Sequence, residues 1–257
     1  MDFPETSHPD ASAASPLPPI EQPTWSLAEA LLVGLCFFGA IVAAGYLARA
    51  LPLEKLVGKV AAPFVLLPLM DALICIVIWR LAAVRGRRAL ALGISPERLG
   101  RKLLFAVVVF VLSFPAVWLL VRLNELVVSQ LGIPIKEHPL LLALARRPSD
   151  VVVVFLVIYA VLVRPAVEEL YFRAFLYPPL RRTLGAGSAI AANGLLFAVP
   201  HFQPQAILPL AALGMLLAFI YERTRSLPAV VLVHVLNNAL TISLVFIFAY
   251  GAAPQAG

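Results

Sequence analysis

Charge is the scarcest commodity in this chain. Only 13% of its 257 residues are Asp, Glu, Lys or Arg, against 61% that are hydrophobic. A soluble globular domain runs at about 25% charged and about 45–50% apolar. The shortage argues against a water-soluble domain and for membrane helices, each needing about 20 apolar residues. Cysteine is nearly as scarce. Cys36 and Cys75 both sit in apolar runs without a CxxC pair, which argues against a disulfide framework or thiol chemistry. Residues 1–24 contain no Lys or Arg and so lack the basic start of a secretory signal. Their Pro, Ser and Ala with four acids cannot bury enough apolar area to fold, and the stretch reads as a disordered tail. No internal repeat is visible, which weakens an inverted-repeat transporter.

What charge there is leans basic, with a formal net charge of +6. A basic balance can mark a nucleic-acid binder. Here the basic residues gather in short loops, as the positive-inside rule expects of a membrane protein, and no nucleic-acid partner is expected. The densest group is Arg80, Arg85, Arg87, Arg88, Arg98, Arg101 and Lys102, followed by Arg181 with Arg182 and by Arg223 with Arg225. Placing these three loops in the cytoplasm gives crossings at 26–50, 61–84, 103–128, 150–177, 187–199, 205–221 and 227–250, with the N-terminus inside. Lys55, Lys59, Arg146 and Arg147 then fall outside, against the rule. Trp25 and Tyr46 are placed as interface anchors. Pro115 is expected to interrupt the third span, and Pro178 with Pro179 to end the fourth. The fold class is all-α, a polytopic transmembrane bundle of about seven or eight helices, with a polar connector at 129–150.

Ionisable groups inside such spans are costly unless paired or facing a polar cavity, so each is a functional candidate. The wholly apolar run 151–163 leads into Val-Glu-Glu-Leu-Tyr-Phe-Arg at 167–173. Glu169 and Arg173 are four apart, share a helix face and can pair as scaffold. Glu168 lies about 100° round the helix, away from that partner, and nothing local requires a second acid. Arg164 is four residues before Glu168, yet Pro165 disfavours helix there and is expected to break it between them. Arg164 reads as a lining residue of a wet cavity, and Asp71 in the second span has no assigned role.

Two further polar sites follow. The 187–199 helix has 13 residues. At about 1.5 Å each it spans about 20 Å, too short for about 30 Å of hydrocarbon, so His201 ends below the far surface between Pro200 and Pro204. His234 and Asn238 are four apart on one face of the last helix, with Asn237 off that face as a helix–helix hydrogen bonder. By helix rise, His234 lies about 10 Å and Glu168 about 14 Å from the cytoplasmic ends of their helices, so both can line one cavity.

A carboxylate with an imidazole can hold and deprotonate water. A second imidazole with a side-chain amide can donate to an oxyanion in a water-poor site. Together these suit amide hydrolysis. Ser188 precedes a plain apolar helix and makes no convincing nucleophile. Two histidines and a glutamate can also bind zinc, but no H-E-x-x-H occurs and the ligands would come from three helices.

Glu168-Glu169-x-x-x-Arg173, Phe197-x-x-x-His201 and His234-x-x-x-Asn238, in that order on separate apolar helices, resemble the CPBP family. Its members are intramembrane glutamic endopeptidases related to the type II CAAX prenyl proteases. The resemblance covers about residues 150–250; residues 25–149 match only as hydrophobic helices and connector. It implies that Glu168 and His201 activate water and that His234 and Asn238 form the oxyanion hole. Glu169 and Arg173 then support the site, with no metal and no cofactor. The implied substrate is a membrane-associated or lipidated protein or peptide; the compact length of 257 residues, without an ER-retention signal, favours a bacterial inner membrane as the setting. Ala174 stands where the family commonly has Gly, and Arg164 where small apolar residues are usual. Three other readings remain open at this point: a non-enzymatic scaffold or bacteriocin-immunity factor of the same fold, a zinc-dependent intramembrane protease, and a proton relay using Glu168, Asp71 and the histidines.

Overall fold

The computed structural model describes residues 25–51, 64, 66–84, 92–133 and 151–251. The acidic tail 1–24, Lys55, Lys59, the basic stretch 85–88 and the Arg146–Arg147 part of the connector lie outside these residues. Among the described residues the architecture is all-α, in seven helices. α1 (Leu27–Ala50) opens on a capping box, in which Ser26 and Glu29 each bond the other's backbone N–H. α2 is Leu67–Val84 and α3 is Leu99–Gln130. α4 is composite. It runs as α over Val151–Ile158, π over Tyr159–Val163, α over Arg164–Glu169, π over Leu170–Leu176 and α over Tyr177–Leu184. α5 (Ala186–Ala198) tightens into a 3₁₀ turn at Val199–His201. α6 (Ile207–Thr224) and α7 (Leu227–Gly251) complete the set.

Three proline expectations are corrected. α3 passes through Pro115 without ending. Membrane helices absorb a proline where Ser or Thr hydroxyls serve nearby carbonyls, and Ser113 donates to the Phe110 carbonyl at 2.7 Å. Pro165 begins the α segment that carries the two glutamates instead of breaking the helix before them. Pro178 and Pro179 likewise open the last segment of α4, where the missing N–H groups follow a π turn and cost least. Gly185, at φ 77°, ends the helix instead, with its N–H on the Arg181 carbonyl at 3.0 Å.

Among the described residues, four stretches are long and apolar enough to cross a membrane: Leu27–Ala48, Leu99–Gln130, Pro204–Thr224 and Leu227–Leu244. Large aliphatic side chains such as Leu35, Leu104 and Leu112 stand on the outer surface, which lipid accepts and water does not. The chain is a multi-pass membrane protein. Its centre is α4, whose residues 171–180 are all buried.

α5 and α6 meet backbone to backbone. A Cβ on Gly194 would lie 2.7 Å from both the Ala211 carbonyl oxygen and the Met215 nitrogen, and one on Gly214 would lie 2.8 Å from Gly194 Cα. Small residues at such a crossing let membrane helices pack without a hydrophobic driving force. At one end of the bundle Glu222 ties α4 to the turn between α6 and α7. It accepts from Tyr177 at 2.9 Å, Arg181 at 2.9 Å and Arg225 at 2.6 Å.

Candidate active site

The two π segments of α4 flank the six residues that carry Glu168 and Glu169. An i→i+5 turn inserts a residue and rotates whatever follows, and such turns recur at functional sites. Carbonyls within these segments accept side-chain bonds from three other elements. Asn238 of α7 donates to Ala160 at 3.2 Å, Asn193 of α5 to Phe172 at 2.9 Å, and Trp25 to Phe175 at 2.8 Å. Trp25 is therefore no interface anchor. It is buried and stacked on Phe175 with ring centroids 4.8 Å apart. Tyr46 stays exposed on α1.

Glu169 lies at the sealed end of the site. Its Oε1 accepts from Arg173 Nη1 at 2.9 Å and contacts His234 Nδ1 at 2.7 Å. Arg173 Nη2 continues to the Gly214 carbonyl at 2.8 Å, and both charged side chains are 0% exposed. A carboxylate can only accept, so His234 Nδ1 carries the proton in this contact. The ring is thereby oriented with Nε2 toward Glu168, 3.8 Å from Oε2. That is beyond hydrogen-bond reach, so His234 bridges the two carboxylates without closing on Glu168.

His201 approaches from the 3₁₀ end of α5. Its Nδ1 lies 2.8 Å from the Phe197 carbonyl one turn earlier, which fixes the proton there and leaves Nε2 as the acceptor in the neutral ring. Phe197 packs beside both imidazoles, with centroids 4.9 Å from His201 and 5.6 Å from His234, and Arg173 lies 4.8 Å over its face. Asn238 spends one amide hydrogen on Ala160. Among the described residues, the amide of Asn237 reaches its own neighbour Asn238 at 3.4 Å and not another helix.

Residues 150–240 match the family model described as Type II CAAX prenyl endopeptidase Rce1-like. This segment is similar to that family of proteases. The matched segment contains Glu168, Glu169, Arg173, His201, His234 and Asn238. No curated protein and no solved structure matches the chain. Among the described residues, no three His, Cys, Asp or Glu side chains are grouped as metal ligands.

Sequence reasoning left Arg164 and Asp71 without assigned partners. In the structure Arg164 Nε bonds Glu168 Oε1 at 2.7 Å and Nη1 bonds Asp71 Oδ1 at 2.5 Å. The Tyr159 hydroxyl donates to the other Asp71 oxygen. Glu168 is thus paired with Arg164 at the spacing of four, because Pro165 does not break the helix between them. The signal was present in the sequence: a lone acid in one apolar helix requires a cation from another, and Arg164 was the unspent one.

Proposed function

We propose that this protein is an intramembrane glutamic endopeptidase of CAAX type, with residues 150–250 as its catalytic helices. It acts on a membrane-associated or lipidated peptide near the cytoplasmic side of a bacterial inner membrane. Glu168 and the free nitrogen of His201 bind a water and take its proton, and the water oxygen forms a bond to the scissile carbonyl carbon. The oxyanion accepts hydrogen bonds from His234 Nε2, in the ring form protonated at both nitrogens, and from the remaining amide hydrogen of Asn238. Collapse breaks the C–N bond, and the departing amine takes the proton held by the base. Glu169 and Arg173 hold His234 in place throughout.

The observation that carries this reading is the placement of His234 between the two carboxylates, 2.7 Å from Glu169 and 3.8 Å from Glu168. A buried acid already balanced by Arg173 would not need a histidine, whereas an oriented imidazole facing a second acid is what water activation and oxyanion binding require. The test compares membranes holding wild type, Glu168→Gln and His201→Ala for internal or C-terminal fragments of membrane proteins, alongside a prenylated CAAX reporter peptide. Fragments should disappear in both variants and persist in chelator. Fragments that persist unchanged in both variants contradict the reading. Loss in chelator with recovery on zinc replaces it with a metal-dependent protease.

A further inference from the structure

Glu168 is held by more than the residues of the matched segment. Arg164, one turn earlier on α4, forms a fork with Nε on Glu168 and Nη1 on Asp71 of α2, at 2.7 and 2.5 Å. Asp71 lies outside residues 150–240, is 2% exposed, and is fixed from its other side by the Tyr159 hydroxyl in the first π segment. Beneath the guanidinium lies Phe37 of α1, 5.8 Å from ring centroid to Cζ, so water reaches the pair from few directions. The Arg164 side chain keeps 20% exposure, against 0% for Arg173.

We infer that Arg164, anchored by Asp71, is a positioning residue that supplies the counter-charge of Glu168 and turns its second oxygen toward His234. The inference rests on Glu168 being the base of the proposed peptidase. A carboxylate in apolar surroundings without a cation takes up a proton and can no longer accept one from water. Bonding one oxygen to Arg164 leaves the other for the reaction. Asp71 has the opposite electrostatic sense. It fixes the guanidinium in place but shares its charge, so its loss leaves Glu168 with the whole cation. Of the other titratable or charged groups around Glu168, His234 faces it from α7, with His201 at the end of α5 and Arg173 and Tyr159 on α4 itself.

The test uses the full chain in lipid vesicles and follows the infrared carboxyl band of protonated Glu168 with pH, identified in each background as the band lost on adding Glu168→Gln. In Arg164→Gln the band should appear at a pH about one to three units higher than in wild type. In Asp71→Asn it should not move upward. Peptide cleavage by Arg164→Gln should fall below wild type by about tenfold for each pH unit that the medium lies below the shifted midpoint, and should recover as the pH is raised through it. Arg164→Lys should recover most of the lost activity. If Arg164→Gln fails to fold, Arg164→Gln with Asp71→Asn removes both charges together and should still show an upward move, smaller than that of Arg164→Gln because an anion is lost with the cation. An unmoved band in the Arg164 variants, or an equal upward move in Asp71→Asn, overturns the inference. The infrared reading needs no substrate: a band that behaves as stated in a protein that cleaves nothing would refute the peptidase reading alone.

Discussion

The two adjacent glutamates of α4 sit in opposite surroundings. Glu169 is sealed, with Arg173 and His234 on one oxygen and the Arg173 fork closed by the Gly214 carbonyl of α6. Glu168 is on the open side, against a partly exposed Arg164 and an imidazole held just beyond bonding distance. One helix thus carries two neighbouring acids in unlike settings: Glu169 is fully buried, with its second oxygen sealed in the bundle, and Glu168 has its second oxygen facing an imidazole. Burial and partner geometry set them apart, since the residue type is the same.

The sharpest way to break this comparison is on the sealed side. Glu169→Gln strips the counter-charge from a fully buried guanidinium, a change of about 3–5 kcal/mol that should abolish folded protein in detergent size-exclusion profiles. Glu168→Gln should leave that profile intact, because Arg164 keeps Asp71 as its partner. Next in size is Gly194→Leu. The new side chain would collide with the Ala211 carbonyl and the Met215 backbone nitrogen, forcing α5 off α6 and shifting His201 at the far end of α5. Overpacking of this kind costs about 1–3 kcal/mol, so thermal unfolding should fall by several degrees and cleavage should drop further than stability does. A smaller effect belongs to Trp25→Phe, which keeps the stacking on Phe175 but loses the bond to its carbonyl. That should cost about 1 kcal/mol, read as a modest fall in melting temperature with cleavage reduced severalfold at most. The smallest is Arg122→Ala. Its pair with Glu125 is 57% and 46% exposed on α3, and the change should stay within about 0–1 kcal/mol with cleavage unchanged.

Much of this was legible from the chain alone, and the reasons it was or was not are physical. The start of α1 was readable to within a residue because its apolar run begins there. The shortness of α5 followed from the apolar run that ends before Pro200, and the Glu169–Arg173 pair from its spacing of four. The π segments were invisible. The first lies in a run so uniformly apolar that no hydrophobic period sets a phase, the second is broken only by Arg173, and the donors that hold their carbonyls come from α5, α7 and the stretch before α1. For the same reason the proline rules misled at Pro165 and Pro178: both prolines start α segments that follow π turns. The Asp71–Arg164 pair spans two helices and had only the logic of charge balance to announce it.

The central claim is that Glu168 works while Glu169 holds. It is tested most directly by purifying Glu168→Gln and Glu169→Gln side by side and measuring, in the same vesicles, thermal stability and cleavage of a prenylated reporter peptide. The account predicts that Glu168→Gln melts within a few degrees of wild type and cleaves nothing detectable, while Glu169→Gln yields little folded protein. A Glu168→Gln protein that still cleaves at the wild-type rate, or a Glu169→Gln protein as stable as wild type, would contradict it.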